Sequence, residues 1–291
     1  MNKDSISESE LVLNKDGSVY HLHLKEEHVG SNVILVGDQG RVEQISRHFD
    51  AVDFRFKNRE FITHTGRYKG HSISVISTGI GTDNIDIVVN ELDAAVNIDL
   101  QKRQPKEKKR TLNIIRIGTS GALQQYIPVD SHIVSSYGLG FDGLLYYYNY
   151  LFEADEKMLS GKIVDHLKWN PQLSVPYIAK GSDQLIARIG NGMMKGITAT
   201  ASGFYGPQGR RLRLELKDPD VWERLSTFAY EGHRIVNFEM ETSALYGLGR
   251  LLGHECCTCC AIVANRVTKD FSKDHGKVME GLIETVLSRL K

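Results

Sequence analysis

Short apolar runs that end in glycine-containing turns alternate with helix-like segments along this chain. The run at 33–36 (VILV) ends in GDQG, and the run at 113–117 (NIIRI) ends in GTSG. Between them, residues 61–77 have the character of a strand pair around a Lys-Gly turn, and residues 85–96 carry apolar side chains at helical spacing. Strands that alternate with helices predict an α/β fold with a largely parallel or mixed sheet.

The charge balance excludes two classes of partner. Lys and Arg together number 36, as do Asp and Glu, so the chain has no overall field that would attract nucleic acid or an anionic membrane. Residues 1–10 (MNKDSISESE) are polar and do not form a secretory signal. No apolar run reaches the length of about 18 residues that indicates a membrane span. We therefore expect a cytoplasmic protein that holds any anionic ligand through a local cluster of donors.

The cysteines of the chain all lie in one short segment, at Cys256, Cys257, Cys259 and Cys260, just before an apolar run. Their two C-x-x-C spacings are compatible with zinc or redox chemistry. In a strand, however, successive side chains point to opposite faces, so these thiols cannot converge on one metal ion. The segment therefore predicts a buried core strand with reduced thiols and no metal site, as suits the cytoplasm.

One folded domain is expected over residues 19–291, because no internal repeat and no linker divides the chain. Residues 1–18 are expected to form a disordered N-terminal segment. The basic run at 101–110 (QKRQPKEKKR) has no interleaved aromatic residues, which favours a solvated loop over a patch that binds nucleic acid. The amphipathic spacing at 276–290 predicts a closing helix.

Two of the glycine turns have an arginine close by. Gly37 precedes Arg41 at the predicted start of a helix, and Arg116 lies on the strand that leads to Thr119. Backbone N–H groups, a hydroxyl and a guanidinium together form a good cradle for phosphate. A loop that simply needs glycine remains the alternative for each turn taken alone. The chain contains neither a P-loop nor a clean G-x-G-x-x-G motif, so a nucleoside triphosphate or a dinucleotide is not expected.

Arg116 is the most informative of these charged residues. It interrupts the apolar run at 114–117, where a parallel strand is expected to be apolar on both faces. A buried guanidinium is costly unless it is paired, so Arg116 requires a ligand or an acidic partner. Arg59, in the segment 58–61 (NREF), has by itself only the character of a surface charge.

A pair of carboxylates lies in the mostly apolar segment 237–244, where a strand is predicted to pass into a helix. They belong to Glu239 and Glu241, and in an extended segment they would point the same way. Carboxylates in such a place suit the two vicinal hydroxyls of a ribose, each of which can donate a hydrogen bond. Acids that only stabilise the start of a helix are the alternative.

The segment 203–210 (GFYGPQGR) places Gln208 and Arg210 two residues apart on a turn that follows an aromatic pair. A glutamine amide offers both a donor and an acceptor, which is the complement of an imide edge such as that of uracil. A nearby guanidinium could stabilise charge that develops on a carbonyl oxygen. Alternatively, Arg210 and Arg211 form a solvated face.

Taken together, six ordered segments of this chain resemble the nucleoside phosphorylase family and, within it, the uridine phosphorylase branch. The segments are VGDQGRVE at 36–43, NREF at 58–61, STGIG at 77–81, RIGTSGAL at 116–123, FYGPQGR at 204–210 and FEMETSAL at 238–245. The resemblance extends from about His21 to Arg266. It implies a single-domain, three-layer α/β fold in which a central mixed sheet is flanked by helices.

The resemblance also implies a role for individual residues. It assigns phosphate to Gly37, Arg41, Arg116 and Thr119, joined by Arg59 of a neighbouring subunit. It assigns the ribose to Glu239, Met240 and Glu241, joined by His21 of the neighbour, and uracil to Phe204, Gln208 and Arg210. The catalytic residues would be Arg210, Gln208 and Arg116. The protein is thus expected to be a homo-oligomer whose active site is shared across a dimer interface.

The implied reaction is the reversible phosphorolysis of uridine to uracil and ribose 1-phosphate, a step of pyrimidine nucleoside salvage. Phosphate is a co-substrate, and no cofactor is expected. Purine-cleaving relatives carry an aspartate after the late core strand, whereas the segment 262–266 (IVANR) contains no acid. Some bacterial members bind potassium between subunits through a glutamate that matches Glu60, but the different turn at 82–84 (TDN) puts that ion in doubt here.

The alternatives are a purine nucleoside phosphorylase, a nucleosidase that uses water, and a non-catalytic sensor that binds a nucleoside. A nucleosidase needs no basic phosphate cluster, so Arg41, Arg59 and Arg116 disfavour it. A sensor would be favoured if one of the site residues were missing from the sequence, and none is.

Overall fold

A computed structural model describes residues 5–290 of the chain. The strands in this range are β1 (Asn32–Val36), β2 (Ala51–Asn58), β3 (Phe61–Tyr68), β4 (His71–Ser77), β5 (Ile98–Asp99), β6 (Gln104–Pro105), β7 (Asn113–Ala122), β8 (His132–Gly140), β9 (Tyr177–Lys180), β10 (Met194–Thr200), β11 (Ala229–Tyr230), β12 (His233–Glu239) and β13 (Glu255–Asn265). The α-helices are α1 (Gly40–Ser46), α2 (Thr82–Asn97), α3 (Ala154–Leu167), α4 (Asp183–Ile189), α5 (Val221–Thr227), α6 (Thr242–Leu252) and α7 (His275–Ser288). Short 3-10 helices lie at Glu26–His28, Leu144–Tyr147 and Gly206–Gln208.

Apart from the β5–β6 pair, these strands form one mixed sheet, as the sequence predicts. Its order is β2-β3-β4-β1-β7-β13-β8-β10-β12-β11, with β9 beside β8. The strands β4, β1, β7 and β13 are parallel, as are β8, β10 and β12, and the two sets meet where β13 pairs with β8 in antiparallel fashion. The strand β12 also pairs with β7. This extra pairing closes β7, β13, β8, β10 and β12 into a barrel-like ring.

The strand β1 shows why helices cover both faces of the sheet. Its side chains are buried along its whole length, as expected of a parallel strand. Val33 and Leu35 pack with residues of α2 and α6, whereas Ile34 and Val36 pack with residues of α1, α4 and α7. Successive side chains of a strand point to opposite faces, so a helical layer is needed on each side. The expected three-layer, single-domain architecture is confirmed.

The cysteine segment forms β13 and is buried, as the sequence predicts. Cys257 and Cys259 belong to the core cluster that contains α7, while Cys256 belongs to the cluster on the other face. The closing helix predicted at 276–290 is α7 (His275–Ser288). Among the described residues, no helix combines the length and the apolar composition that crossing a membrane requires.

The N-terminal segment makes more contacts than its polar composition suggests. Within residues 5–18, Leu11 is buried, and the backbone N–H of Ile6 donates to the Arg103 carbonyl at 2.8 Å. Leu13 forms a β-bridge with Val19. Here the structure differs from the disorder expected over 1–18, because a few apolar side chains hold a mostly polar segment on the core. Residues 1–4 lie outside the described residues, as does 291, the end of the predicted domain.

Candidate active site

A cavity of about 580 Å³ opens where the C-terminal ends of β1, β7, β10 and β12 meet. Ligands of α/β proteins bind in such a place, beyond the carboxyl ends of the strands. The cavity is lined by most of the residues that the sequence singles out, namely Gly37, Arg41, Arg116, Thr119, Phe204, Gln208, Arg210, Glu239, Met240 and Glu241. Segments from widely separated parts of the chain, such as those of Gly37 and Glu241, therefore meet at one site.

One end of the cavity carries two arginines, one of which has a buried donor atom without a hydrogen-bond partner among the described residues. Arg41 lies in the first turn of α1, and its Nε atom is buried with no hydrogen-bond partner among the described residues. Burial lowers the pKa of Arg41, and the neighbouring Arg116 lowers it further, although Asp38 opposes both. A second cation and a buried, unpartnered donor both favour an anionic ligand at this end.

The guanidinium of Arg116 is buried and paired, as the sequence requires. Its Nη1 lies 3.2 Å from Glu239 Oε2, and its Nη2 donates to Glu241 Oε2. A Cβ atom at Gly118 would overlap the Arg116 guanidinium, so glycine is needed for the side chain to lie across its own strand. Burial alone would lower the pKa of Arg116, but the carboxylates of Glu241 and Glu239 raise it above its usual range.

The two carboxylates of this ion pair differ in their other contacts. Glu239 accepts hydrogen bonds from the Thr200 hydroxyl at 2.8 Å, the Glu241 N–H at 2.9 Å and the Thr242 N–H at 3.0 Å. It therefore stabilises the start of α6, which was the alternative interpretation of the two acids. Glu241 has fewer other contacts in the described residues, namely a hydrogen bond from the Gly81 N–H at 2.9 Å and one from the Met240 backbone. Burial raises the pKa of Glu241, while Arg116 lowers it. Glu241 thus keeps more capacity to accept bonds from a ligand.

The other end of the cavity is formed by the turn that follows β10. The 3-10 helix Gly206–Gln208 and a left-handed Gly209 (φ 66°) fold this turn back, so that Gln208 is buried. Arg210 stacks on the Phe204 ring, with its guanidinium carbon 3.8 Å from the ring centre, and donates to the Gln208 side-chain oxygen. Burial and the neighbouring Arg266 lower the pKa of Arg210 to about 10. This end thus presents a buried amide and a guanidinium, held by each other and by an aromatic ring.

Arg266 is a residue that the sequence analysis missed as a site candidate. It directly follows β13, its Nη1 atom is buried with no partner among the described residues, and its charge acts on Arg210. The amide nitrogen of the adjacent Asn265 already donates to the carbonyls of Gln124 and Ile127 at 3.0 and 2.7 Å, so both of its N–H groups have partners. An arginine directly after a buried strand was a usable signal, related to the charge within an apolar strand that identified Arg116.

Three residues that the resemblance assigns to contacts between subunits lie outside this chain's cavity. Of the described residues that line the cavity, none is His21, Arg59 or Glu60. The Nδ1 atom of His21 lies 2.6 Å from Glu91 Oε1. Arg59 is exposed with a left-handed backbone (φ 51°), and its carbonyl accepts from Gln39, which does line the cavity. Arg59 therefore lies near the rim of the cavity, and His21 lies close to the same segment, because the Asn58 side chain donates to the His21 carbonyl at 2.9 Å.

Comparisons with known proteins identify one superfamily. Residues 32–289 match the family model of the phosphorylase superfamily. A uridine phosphorylase of Thermococcus kodakarensis is 32% identical over 262 residues, which cover 89% of this chain and 82% of the relative. A purine nucleoside phosphorylase of the DeoD type from Thermoanaerobacter is 25% identical over 250 residues, 85% of this chain and 88% of the relative.

A solved structure extends the likeness to the whole fold. A nucleoside phosphorylase of Trypanosoma brucei, described as showing uridine phosphorylase activity, superposes with a TM-score of 0.88 at 30% identity. The alignment covers 97% of this chain and 99% of that one. The resemblance found in the sequence is confirmed, and the chain belongs to the phosphorylase superfamily.

Proposed function

We propose that the protein is a uridine phosphorylase, which reversibly converts uridine and phosphate to uracil and ribose 1-phosphate in pyrimidine nucleoside salvage. The observation that carries this proposal is a single cavity with a cationic end at Arg41 and Arg116 and an amide–guanidinium end at Gln208 and Arg210. Relatives named uridine phosphorylase support it. We further propose that the protein works in the cytoplasm and needs no cofactor.

Phosphate binds, in this proposal, at the cationic end. Gly37 and Thr119 contribute backbone and hydroxyl donors, while Arg41 and Arg116 contribute guanidinium groups that match a tetrahedral anion. Arg41 has the free donor described above. Arg59 of a second copy of the chain completes the set. Phosphate thus lies next to the carbon that it attacks, and such positioning contributes about 7 kcal/mol or more for well-oriented reactants.

The ribose lies between the two ends. Glu241 accepts hydrogen bonds from the vicinal hydroxyls, because its carboxylate is buried and has few other partners. Glu239 and Met240 complete this wall, with Glu239 acting mainly through Arg116 and the start of α6. His21 of the second copy contacts the 5′-hydroxyl.

Uracil binds at the amide–guanidinium end, against the Phe204 ring. In the reaction, the bond from C1′ to the base nitrogen breaks with its electron pair on uracil, and a phosphate oxygen bonds to C1′. Gln208 and Arg210 donate to the carbonyl oxygens on which negative charge develops, and preorganised donors of this kind stabilise a transition state. The uracil anion then takes a proton from water, so neither a covalent intermediate nor a general acid is required.

Purine relatives make a purine nucleoside phosphorylase the nearest alternative. The end of β13 disfavours it, because the segment 262–266 contains no acid that could protonate a purine, and the Asn265 amide nitrogen is bound to backbone carbonyls. A nucleosidase is disfavoured by the buried Arg41, whose Nε atom has no hydrogen-bond partner among the described residues, since water needs no cation to bind.

If each active site contains residues of two chains, mixed dimers of two nearly inactive variants should regain activity. Variants Arg59→Ala and Arg210→Ala should each lose nearly all activity alone. After subunit exchange, half of the dimers carry one intact site, so roughly one quarter of the wild-type activity should return. The measurement is phosphate-dependent uracil release before and after mixing. Arg41→Ala mixed with Arg210→Ala is the matched control and should restore nothing, because both residues line the same chain's cavity. If the Arg59 mixture also restores nothing, the shared site is wrong.

The reaction itself is tested by its phosphorus-containing product. Phosphorus NMR of the protein with uridine and phosphate should show the phosphate signal decreasing as a sugar 1-phosphate signal grows, in equal amounts. Free ribose with unchanged phosphate would identify a hydrolase instead. The same reaction after dialysis against a chelator, and with sodium in place of potassium, should run at an unchanged rate if no metal ion is needed at Glu60.

A further inference from the structure

A chain of hydrogen-bonded polar side chains runs through the barrel-like ring and ends at the active site. It contains Ser135 on β8, Thr198 on β10, Asn237 on β12 and Ser120 on β7, one from each of four neighbouring strands. The first three are fully buried, and Ser120 is 4% exposed and lines the cavity. Small barrels are usually filled with apolar side chains, so a continuous polar path here needs an explanation.

The distances show that each member contacts the next. Ser135 Oγ and Thr198 Oγ1 are 2.5 Å apart, and Thr198 Oγ1 donates to Asn237 Oδ1 at 2.8 Å. The Asn237 Nδ2 atom then donates to Ser120 Oγ at 2.9 Å. Among the described residues, Ser135 Oγ has no hydrogen-bond partner other than Thr198.

The available donors and acceptors determine the direction of these hydrogen bonds. With the Thr198 proton given to Asn237, Ser135 donates its own proton to Thr198, and every buried hydroxyl proton has a partner. If the Asn237 amide were turned over, Thr198 would donate to Ser135, and the Ser135 proton would be left buried without an acceptor. Leaving a buried donor unpaired is unfavourable, so the first direction is the stable one.

This direction determines the orientation of the Ser120 hydroxyl. Because its oxygen accepts from Asn237, its own proton must point away from Asn237. Among the described residues, the Cys260 thiol lies within hydrogen-bond reach of Ser120, and a protonated sulfur is a weak acceptor. An oxygen atom of a bound substrate is a stronger one.

We propose that Asn237, itself held by Thr198 and Ser135, is a positioning residue that turns the Ser120 hydroxyl into a hydrogen-bond donor for a substrate oxygen in the cavity. This inference rests on the proposed function, since it requires nucleoside and phosphate to bind there. The substrate oxygen belongs either to the nucleoside or to phosphate, and the two leave different kinetic signatures.

The test is a double-mutant cycle on the purified enzyme. Ser120→Ala removes the donor, and Asn237→Leu removes the group that orients it. Each should lower kcat/KM by about tenfold, the equivalent of one hydrogen bond. The double variant should also lose about tenfold, because Asn237 acts only through Ser120. An increase in KM for uridine places the acceptor on the nucleoside, and an increase in KM for phosphate places it on phosphate.

Two further variants distinguish a loss of catalytic efficiency from a loss of stability. Ser74→Ala removes a fully buried hydroxyl elsewhere in the sheet, where it accepts from the Gly30 N–H at 2.9 Å. It should lower stability without changing kcat/KM per folded molecule. If Asn237→Leu does not fold, Thr198→Val in the wild-type and Ser120→Ala backgrounds provides the same comparison.

Two outcomes would overturn the inference. In the first, the losses multiply to about a hundredfold in the double variant, which means that the two residues act independently. In the second, Asn237→Leu keeps the wild-type kcat/KM. If the wild-type protein catalyses phosphorolysis but the two losses multiply, this inference is wrong and the proposed function stands. If the wild-type protein does not catalyse phosphorolysis, the proposed function and this inference are both wrong.

Discussion

Replacing Arg210 with alanine should lower kcat for uridine by about 10²–10³, the range observed when one preorganised transition-state donor is lost. The guanidinium is stacked on Phe204 and bonded to Gln208, so it is already in place before charge develops on uracil. Its partial burial, which lowers its pKa, also reduces the screening of that interaction by water. The measurement is initial-rate kinetics with varied uridine at saturating phosphate.

The neighbouring Arg211 provides a matched control. Its side chain is 61% exposed and pairs with Glu215 at the surface. Arg211→Ala removes the same charge one position along the chain and should leave kcat unchanged, since exposed ion pairs contribute little. If Arg210→Ala stays within about threefold of the wild type, Arg210 does not stabilise the transition state.

The second large effect is expected from Arg116→Met, which should abolish phosphorolysis and lower the free energy of unfolding by about 3–5 kcal/mol. The substitution leaves the carboxylates of Glu239 and Glu241 buried without their cation, and uncompensated buried charge is strongly destabilising. Urea unfolding at neutral pH measures the stability, and uracil release measures the activity.

The loss of stability should depend on pH. Without Arg116, burial dominates the titration of Glu241 and holds its folded-state pKa above the usual 4.5. A carboxyl with a raised folded-state pKa destabilises the fold as pH rises from the unfolded-state value through the raised one. The deficit of Arg116→Met should therefore be smallest in acid and grow toward neutral pH.

A compensating variant separates the two roles of Arg116. Arg116→Met combined with Glu241→Gln removes one buried charge and should recover part of the lost stability, but no activity. A single variant as stable as the wild type at neutral pH would mean that the two carboxylates are not held in place by Arg116.

The fold could be predicted as far as local pattern determines it. The segment 33–36 is apolar at every position, which identifies a doubly covered strand, and the cysteine segment was identified as core because four thiols in one strand cannot share a metal. The closure of the ring between β12 and β7 could not be predicted, because strand pairing depends on long-range packing that no local pattern encodes. The packed contacts of residues 5–18 were missed for a related reason, since a few apolar anchors such as Leu11 outweigh a polar composition.

The candidate site, like the fold, could be predicted from the sequence only in part. Arg116 could be recognised because a charge in an apolar strand demands a partner, and Glu239 and Glu241 provide it. The difference between these two acids was not visible in the sequence, because it depends on backbone N–H groups at the start of α6. The roles given to His21 and Arg59 stay predictions, since they depend on a second copy of the chain.

The most direct test of the proposed function is the initial rate of base release from uridine and from inosine, each with and without phosphate. Rapid uracil release that requires phosphate, with little release from inosine, is the expected result. Release without phosphate would contradict the role of the arginine cluster at Arg41 and Arg116. A preference for inosine would contradict the assignment of Gln208 and Arg210 to uracil.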